Sequence, residues 1–221
     1  ETARKQLGIK QDEYVVLFFG YVNWFKGADL FVNFYERANG IFGRKTRFLI
    51  AGGKSATLDG RPYYESYYNK VAKTAAADHF TITGYVPQEE IATYFAASDI
   101  VVFPYRHYMT ASGVLSLVFS YKKPFIVSAE LGKMFDAPDF SQAFGAAKLN
   151  QDDVVFDLTA QSCVDLTKKV LKNGIKQNMV KMATLMREKR SYANTAGLYE
   201  AALFPQPASA SSKELALAYT T

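Results

Sequence analysis

The chain has 221 residues, 49% of them hydrophobic, and a formal net charge of +5. This size suits one domain, or one large domain with an appendage, around a sizeable core. The sequence has no block of five or more like charges, so it gives no indication of a nucleic-acid-binding tail. The single Cys163 excludes an intramolecular disulfide and a multi-cysteine zinc site.

Metal, membrane and export signals are missing from the sequence. The only histidines, His79 and His107, are far apart, so we expect no histidine-based metal site. No apolar run reaches the roughly 18 residues of a transmembrane helix, and no signal peptide opens the chain. We predict a cytoplasmic location and leave peripheral attachment to a membrane open. The first residue, Glu1, is consistent with a fragment of a longer protein.

Strands and helices are predicted to alternate along the chain. Short, continuous apolar runs are typical of strands that are buried on both faces of a parallel sheet. We therefore predict an α/β fold, a doubly wound, Rossmann-like parallel sheet of about six strands with helices on both faces and a C-terminal helical tail. The predicted strands are 14–19, 47–51, 79–83, 100–103, 125–127 and 153–156. The predicted helices are 2–7, 27–38, 63–76, 88–97, one from residue 113, 141–146, 159–172, 175–189 and 192–203.

The C-terminal part is less regular. Residues 131–150 are predicted as a loop with one short helix, and we expect the helices from Ile175 onward to pack less regularly on the sheet. We assign residues 1–204 to one α/β domain. The Pro/Ser/Ala-rich composition after it predicts a linker or tail at residues 205–221.

The central segment, residues 99–128, is predicted as strand, loop, helix and strand. Ser112 is a typical N-cap for a helix that begins at Gly113, and the free N–H groups of such a first turn favour phosphate or carboxylate. An ordinary βαβ crossover without a ligand remains an alternative. In open α/β sheets, ligands bind at the carboxyl ends of strands, and four of the five ends here carry glycine. That pattern favours a nucleotide-sized cleft, although strand-to-helix turns alone account for each glycine.

Several motifs occur together and in order. They are the segments 18–27, 48–53, 83–92, 97–105, 112–117 and 123–128. In combination they resemble the C-terminal, donor-binding half of GT-B-fold glycosyltransferases of the large retaining group 1 family. The likeness covers residues 2–130, and extends more loosely to about residue 204. It implies binding of a nucleotide-sugar as substrate, with no cofactor and no metal.

The resemblance also implies site residues. Lys26 matches the lysine of a basic pair that holds the donor diphosphate, whereas the arginine of that pair is replaced by Asn23 or Tyr21. The two glutamates of the family correspond to Met109 and Leu117, so the carboxylate that grips the ribose is absent. Residues expected near the phosphates are Gly20, Asn23, Lys26, Arg106, Ser112 and Gly113. Residues expected near the base and ribose are Gly84, Tyr85, Val86 and Leu117.

Two functions remain open from the sequence. In the first, the chain is the donor half of a hexosyltransferase-type enzyme. Its acceptor, a glycan, lipid or protein, would then bind an N-terminal half that has no counterpart here, so we expect the fragment to be inactive alone. In the second, it is a catalytically degenerate binding or scaffold module, as the missing arginine and glutamates and a tyrosine-rich surface suggest. A sugar-nucleotide epimerase is a third, weaker alternative.

Overall fold

The computed structural model describes residues 2–36, 38, 40, 42–77, 80–172 and 174–204. Its strands are β1 (Tyr14–Phe19), β2 (Thr46–Ala51), β3 (Phe80–Ile82), β4 (Ile100–Phe103), β5 (Phe125–Ser128) and β6 (Val155–Phe156). Its helices are α1 (Thr2–Gln6), α2 (Ala28–Tyr35), α3 (Pro62–Ala77), α4 (Ile91–Ala97), α5 (Gly113–Ser120), α6 (Ala129–Gly132), α7 (Pro138–Ala147), α8 (Ala160–Lys172), α9 (Ile175–Lys189) and α10 (Tyr192–Leu203). Short 3₁₀ turns lie at Gln88–Glu90, Lys133–Asp136 and Gln151–Asp153.

The six strands form one parallel sheet in the order β3-β2-β1-β4-β5-β6. This confirms the predicted doubly wound fold. The direction of strand addition reverses between β1 and β4, where a crevice opens at the carboxyl edge of the sheet. The β1–α2 and β4–α5 loops meet at this point, so the fold itself brings Lys26 and Ser112 to one region.

Aromatic side chains make up much of the core on both faces of the sheet. On one side, Tyr35 from α2 stacks on Phe48 of β2 with ring centroids 5.0 Å apart, and Phe48 stacks in turn on Phe80 at 4.9 Å. On the other side, Phe135 packs against Phe140 of α7 at 4.9 Å. All four residues of β4 and of β5 are buried, as strands covered on both faces require.

One prediction for the C-terminal part is wrong, and the less regular packing expected from Ile175 onward is wrong for α9 but not for α10, which buries none of its residues. Residues 131–150 are mostly helical rather than a loop, because the Ser128 hydroxyl accepts a hydrogen bond from Leu131 N and starts α6 directly after β5. Helix α9 packs regularly, since it buries an apolar stripe at helical spacing. That stripe consists of Met179, Met182, Ala183 and Met186.

The chain divides into two compact units, residues 1–187 and 188–221. The first contains the whole sheet. The second is described only to residue 204, and its helix α10 buries none of its residues. The predicted boundary at 204/205 lies at the end of the described residues, and the predicted tail lies beyond it, so both stay predictions. His79, the predicted start of β3, is also outside the described residues.

None of the helices in the described part of the chain is both long and apolar enough to cross a membrane.

Candidate functional site

A cavity of about 290 Å³ lies at the carboxyl edge of the sheet. The ends of β1 and β2 form its floor, and the turn after β3 and the first turn of α5 form its sides. Predicted site residues Gly20, Lys26, Tyr85 and Val86 all line it. Its other lining residues are Phe19, Tyr21, Ala51, Gly52, Gly53, Ile91 and Val114.

Lys26 is the cation of this cavity. Its Nζ lies 2.9 Å from the position that a β-carbon on Gly20 would occupy, and 5.9 Å from the centroid of the Tyr21 ring. Burial lowers the pKa of Lys26 because the charged ammonium loses water contacts. Within the described residues, Lys26 Nζ has neither a carboxylate nor a hydrogen-bond partner. A partly buried ammonium of this kind is available to an anion that enters the cavity.

Glycines let the loops approach each other closely. A β-carbon on Gly52 would lie 1.9 Å from the carbonyl oxygen of Gly20, and one on Gly53 would lie 2.8 Å from Tyr85 N. The ends of β1 and β2 and the turn after β3 are therefore in backbone contact. The sequence marks Gly52 and Gly53 as strand-end glycines but does not by itself assign them to the site.

The first turn of α5 contributes Val114 to the cavity, close to Lys26: Val114 Cγ2 and Lys26 Nζ lie 3.7 and 2.9 Å from the position that a β-carbon on Gly20 would occupy. Ser112 is the N-cap of α5, as predicted, because its hydroxyl accepts a hydrogen bond from Leu115 N at 3.3 Å. Gly113 is exposed and has no side chain to cover the helix start, and Val114 lines the cavity next to Gly20. The amides and dipole of this helix start favour negative charge on the same side as the Lys26 ammonium.

The turn after β3 contributes a flat, exposed side chain. Tyr85 is 71% exposed while it lines the cavity, and Val86 next to it is buried. Gly84 has a φ of +80° and makes the turn that presents Tyr85, but does not itself line the cavity. An exposed aromatic ring beside an apolar wall is suited to a flat partner such as a nucleobase.

Arg106, which was predicted near the phosphates, does not line this cavity. Its guanidinium forms a two-point ion pair with Asp29, with Nη1–Oδ1 and Nη2–Oδ2 distances of 2.8 and 2.6 Å. Nη1 also donates to the carbonyl oxygen of Trp24 at 2.6 Å. The sequence could not reveal this pair because Asp29 and Arg106 are 77 residues apart.

Two other predicted positions do not contribute side chains to the cavity. Asn23 is buried, and its Oδ1 accepts a hydrogen bond from Lys26 N at 3.0 Å, so it shapes the loop rather than replacing the missing arginine. Leu117 is half-buried against the core and does not line the cavity. Met109 is also half-buried against the core.

The tyrosine-rich surface suggested by the sequence is only partly present. Tyr64 and Tyr105 are buried, and Tyr67 and Tyr68 are half-buried; burial raises the pKa of Tyr64. Tyr64 donates a hydrogen bond to the carbonyl oxygen of Val22 at 2.8 Å and so supports the loop after β1. These side chains serve packing more than a protein-binding face, which weakens the scaffold interpretation.

The structure is thus a doubly wound α/β protein with a cavity at the switch point of its sheet, lined by one partly buried lysine. Comparison with known proteins is consistent with this class. Residues 1–132 match the family described as "Glycosyl transferases group 1". The chain belongs to the group 1 glycosyltransferases, as predicted from its motifs.

One relative by sequence is a D-inositol 3-phosphate glycosyltransferase from Mycobacteroides abscessus. It is 29% identical over 131 residues, which make up 59% of this chain but 28% of the relative.

Solved structures share the fold at low sequence identity. Sucrose-phosphate synthase from Thermosynechococcus elongatus matches with a TM-score of 0.64 and 19% identity, over 91% of this chain and 48% of that one. Anabaena HepE in complex with UDP-glucose matches with a TM-score of 0.68 and 13% identity, over 91% and 51% of the two chains. The C-terminal domain of a group 1 family protein, LpcC, from Francisella tularensis matches with a TM-score of 0.56 and 13% identity, over 85% of this chain and 88% of that one. The chain thus spans about half of the first two structures.

Proposed function

We propose that this chain is the donor-binding part of a glycosyltransferase that transfers a sugar from a nucleotide-activated donor to an acceptor hydroxyl. The observation that carries the proposal is the Lys26 ammonium, which lines the cavity together with Val114 of α5 and has no hydrogen-bond or ion-pair partner within the described residues. Family membership and the UDP-glucose complex of the structural neighbour HepE support a nucleotide-sugar as the ligand.

The donor diphosphate would lie between Lys26 and the first turn of α5. Charge develops on the nucleoside diphosphate as it leaves the anomeric carbon, and a fixed ammonium together with helix-start amides stabilises that charge. Tyr85 and Val86 would pack against the base. No metal ion is needed for this arrangement, because Lys26 and the helix dipole supply positive potential.

Three positions that differ from the family pattern set the expected strength of binding. With leucine at 117 and methionine at 109, the ribose lacks the carboxylate ligand that the family resemblance implies. With asparagine at 23, the diphosphate lacks a second cation. We therefore expect modest donor affinity. In this proposal the acceptor, be it a glycan, lipid or protein, binds an N-terminal half of a longer protein, so residues 1–221 alone turn over no substrate.

Three finer points belong to the same proposal. Retention of anomeric configuration and a hexose as the transferred sugar follow from the family resemblance. The single Cys163, a buried free thiol that suits a reducing compartment, supports a cytoplasmic location. A degenerate scaffold module is the competing function, and it predicts no nucleotide binding.

Titration calorimetry with uridine, guanosine and adenosine diphosphates tests the proposal. We expect at least one of them to bind, and Lys26→Ala to weaken that binding by about 1.5–3 kcal/mol, the contribution of a charge-assisted hydrogen bond. Lys168→Ala is the matched control, because Lys168 lies on α8 and not in the cavity. Absence of binding at millimolar concentration, or equal binding by Lys26→Ala, would favour the scaffold function.

A further inference from the structure

Arg106 connects the two loops that carry the proposed diphosphate site. Its side chain pairs with Asp29 in the first turn of α2, and its backbone N–H donates to the carbonyl oxygen of Phe25 at 2.9 Å. Arg106 itself belongs to the β4–α5 loop that leads to Ser112. One residue thus holds the Lys26 loop to the loop that precedes α5.

The pair is itself held firmly. Tyr67 of α3 donates a hydrogen bond to Asp29 Oδ1 at 2.8 Å, and the Arg106 guanidinium lies 4.8 Å from the centroid of the Trp24 ring. Burial alone would raise the pKa of Asp29, but the hydrogen bonds from Arg106 and Tyr67 outweigh burial and lower it. Asp29 is therefore ionised at neutral pH and keeps the guanidinium in place.

The same contacts separate a positioning role from a binding role. Arg106 uses its two terminal nitrogens on Asp29 and on the Trp24 carbonyl, and it does not line the cavity. It can therefore affect a ligand there only through the loops that it connects. Small displacements matter at such a site, because charge-assisted hydrogen bonds weaken steeply when their geometry is lost.

We propose that Asp29 and Arg106 are positioning residues that hold the Lys26 ammonium and the start of α5 at the separation a diphosphate requires. This inference rests on the proposed function, since it assigns a role within the same site. It replaces the expectation that Arg106 contacts the phosphate directly.

Asp29→Asn separates the two roles. This change removes a negative charge near the site and releases Arg106, so electrostatics alone, or a direct contact from Arg106, would keep or strengthen diphosphate binding. The positioning role predicts the opposite, a loss of about 5- to 30-fold in the affinity for the diphosphate that the wild type binds best. Arg106→Lys should give a similar loss, because lysine cannot form the two-point pair.

Glu13→Gln is the matched control. It also neutralises a carboxylate that pairs with an arginine, in this case Arg47 at 3.2 Å. Glu13 directly precedes β1, so this pair lies at the amino ends of the strands, away from the cavity at their carboxyl ends. We expect Glu13→Gln to lower stability and leave diphosphate affinity unchanged. Trp24 is the only tryptophan of the chain, so its fluorescence should change in Asp29→Asn as Arg106 leaves the ring, and remain unchanged in Glu13→Gln.

A double-variant cycle completes the test. If the pair acts through Lys26, Asp29→Asn should reduce affinity less in the Lys26→Ala background than in the wild type. An equal loss of affinity from Asp29→Asn in the two backgrounds would overturn the positioning role, and so would an Asp29→Asn protein that is folded and binds as well as the wild type. Neither result would contradict the proposed diphosphate site at Lys26. A wild type that binds none of the three diphosphates would instead refute the proposed function, and the positioning role with it.

Discussion

Replacing Gly27 by alanine should destabilise the protein far more than the same change at another glycine with positive φ. Gly27 precedes α2 with φ +71° and ψ +35°, and a β-carbon there would lie 1.9 Å from the carbonyl oxygen of Pro104. The left-handed conformation costs an alanine about 1–2 kcal/mol. The clash adds to this, because the opposing atom is backbone and cannot rotate away.

The clash can be relieved only if the β1–α2 and β4–α5 loops separate. That movement would weaken the backbone hydrogen bond from Arg106 N to Phe25, which contributes about 0.5–1.5 kcal/mol, and the Arg106–Asp29 pair, which contributes about 1.5–3 kcal/mol. We therefore expect Gly27→Ala to lower the free energy of unfolding by about 3–5 kcal/mol. At roughly 2–4 °C per kcal/mol for a protein of this size, Tm should fall by about 6–20 °C.

Gly60→Ala is the control for backbone strain alone. Gly60 has φ +76°, and no heavy atom lies within 4 Å of the position that a β-carbon would occupy there. Urea denaturation of both variants should therefore give a loss of about 1–2 kcal/mol for Gly60→Ala. Equal losses for the two variants would refute the claim that the two loops are in rigid contact at Gly27.

Two further predictions concern the body of the fold. Tyr35→Phe should lower stability by about 0.5–1.5 kcal/mol in urea denaturation, because it removes the buried hydrogen bond between the Tyr35 hydroxyl and Thr167 Oγ1, 2.5 Å apart, while Thr167 keeps its bond to the carbonyl oxygen of Cys163; unchanged stability would contradict this. Burial lowers the pKa of Lys123 to about 8. Between about pH 8 and the ordinary pKa of 10.5, the unfolded chain therefore binds a proton that the folded protein does not. The free energy of unfolding of the wild type should accordingly rise with pH over this range, relative to that of Lys123→Met. A stability difference between these two proteins that stays constant from pH 8 to 10 would show that the pKa is not lowered.

The fold could be predicted from the sequence because local signals agree with the tertiary structure. The apolar runs that begin at Tyr14 and Ile100 coincide with β1 and β4, since both strands are covered on both faces and show no alternation. Residues 131–150 are poorly predicted because the helical segments there are short and are separated by turns, whereas α8, α9 and α10 were predicted within one residue of their bounds. The periodicity of the short segments is therefore hard to recognise without the packing that stabilises them.

The site was predictable only where a local motif carries it. Ser112 and Gly113 have the expected geometry because helix capping depends on neighbouring residues. Lys26 lines the cavity as the family resemblance implied. The Arg106–Asp29 ion pair was not predictable, because the two residues are 77 positions apart, and the orientation of Asn23 toward Lys26 N is likewise a product of the folded loop.

The central claim is that a nucleoside diphosphate binds between Lys26 and the start of α5. A crystal structure of the chain with the best-binding diphosphate tests it most directly. We expect a phosphate oxygen about 2.7–3.0 Å from Lys26 Nζ, a second facing the amides of Gly113 and Val114, and the base against Tyr85. A diphosphate bound elsewhere on the chain, with Lys26 free of contact, would contradict the account.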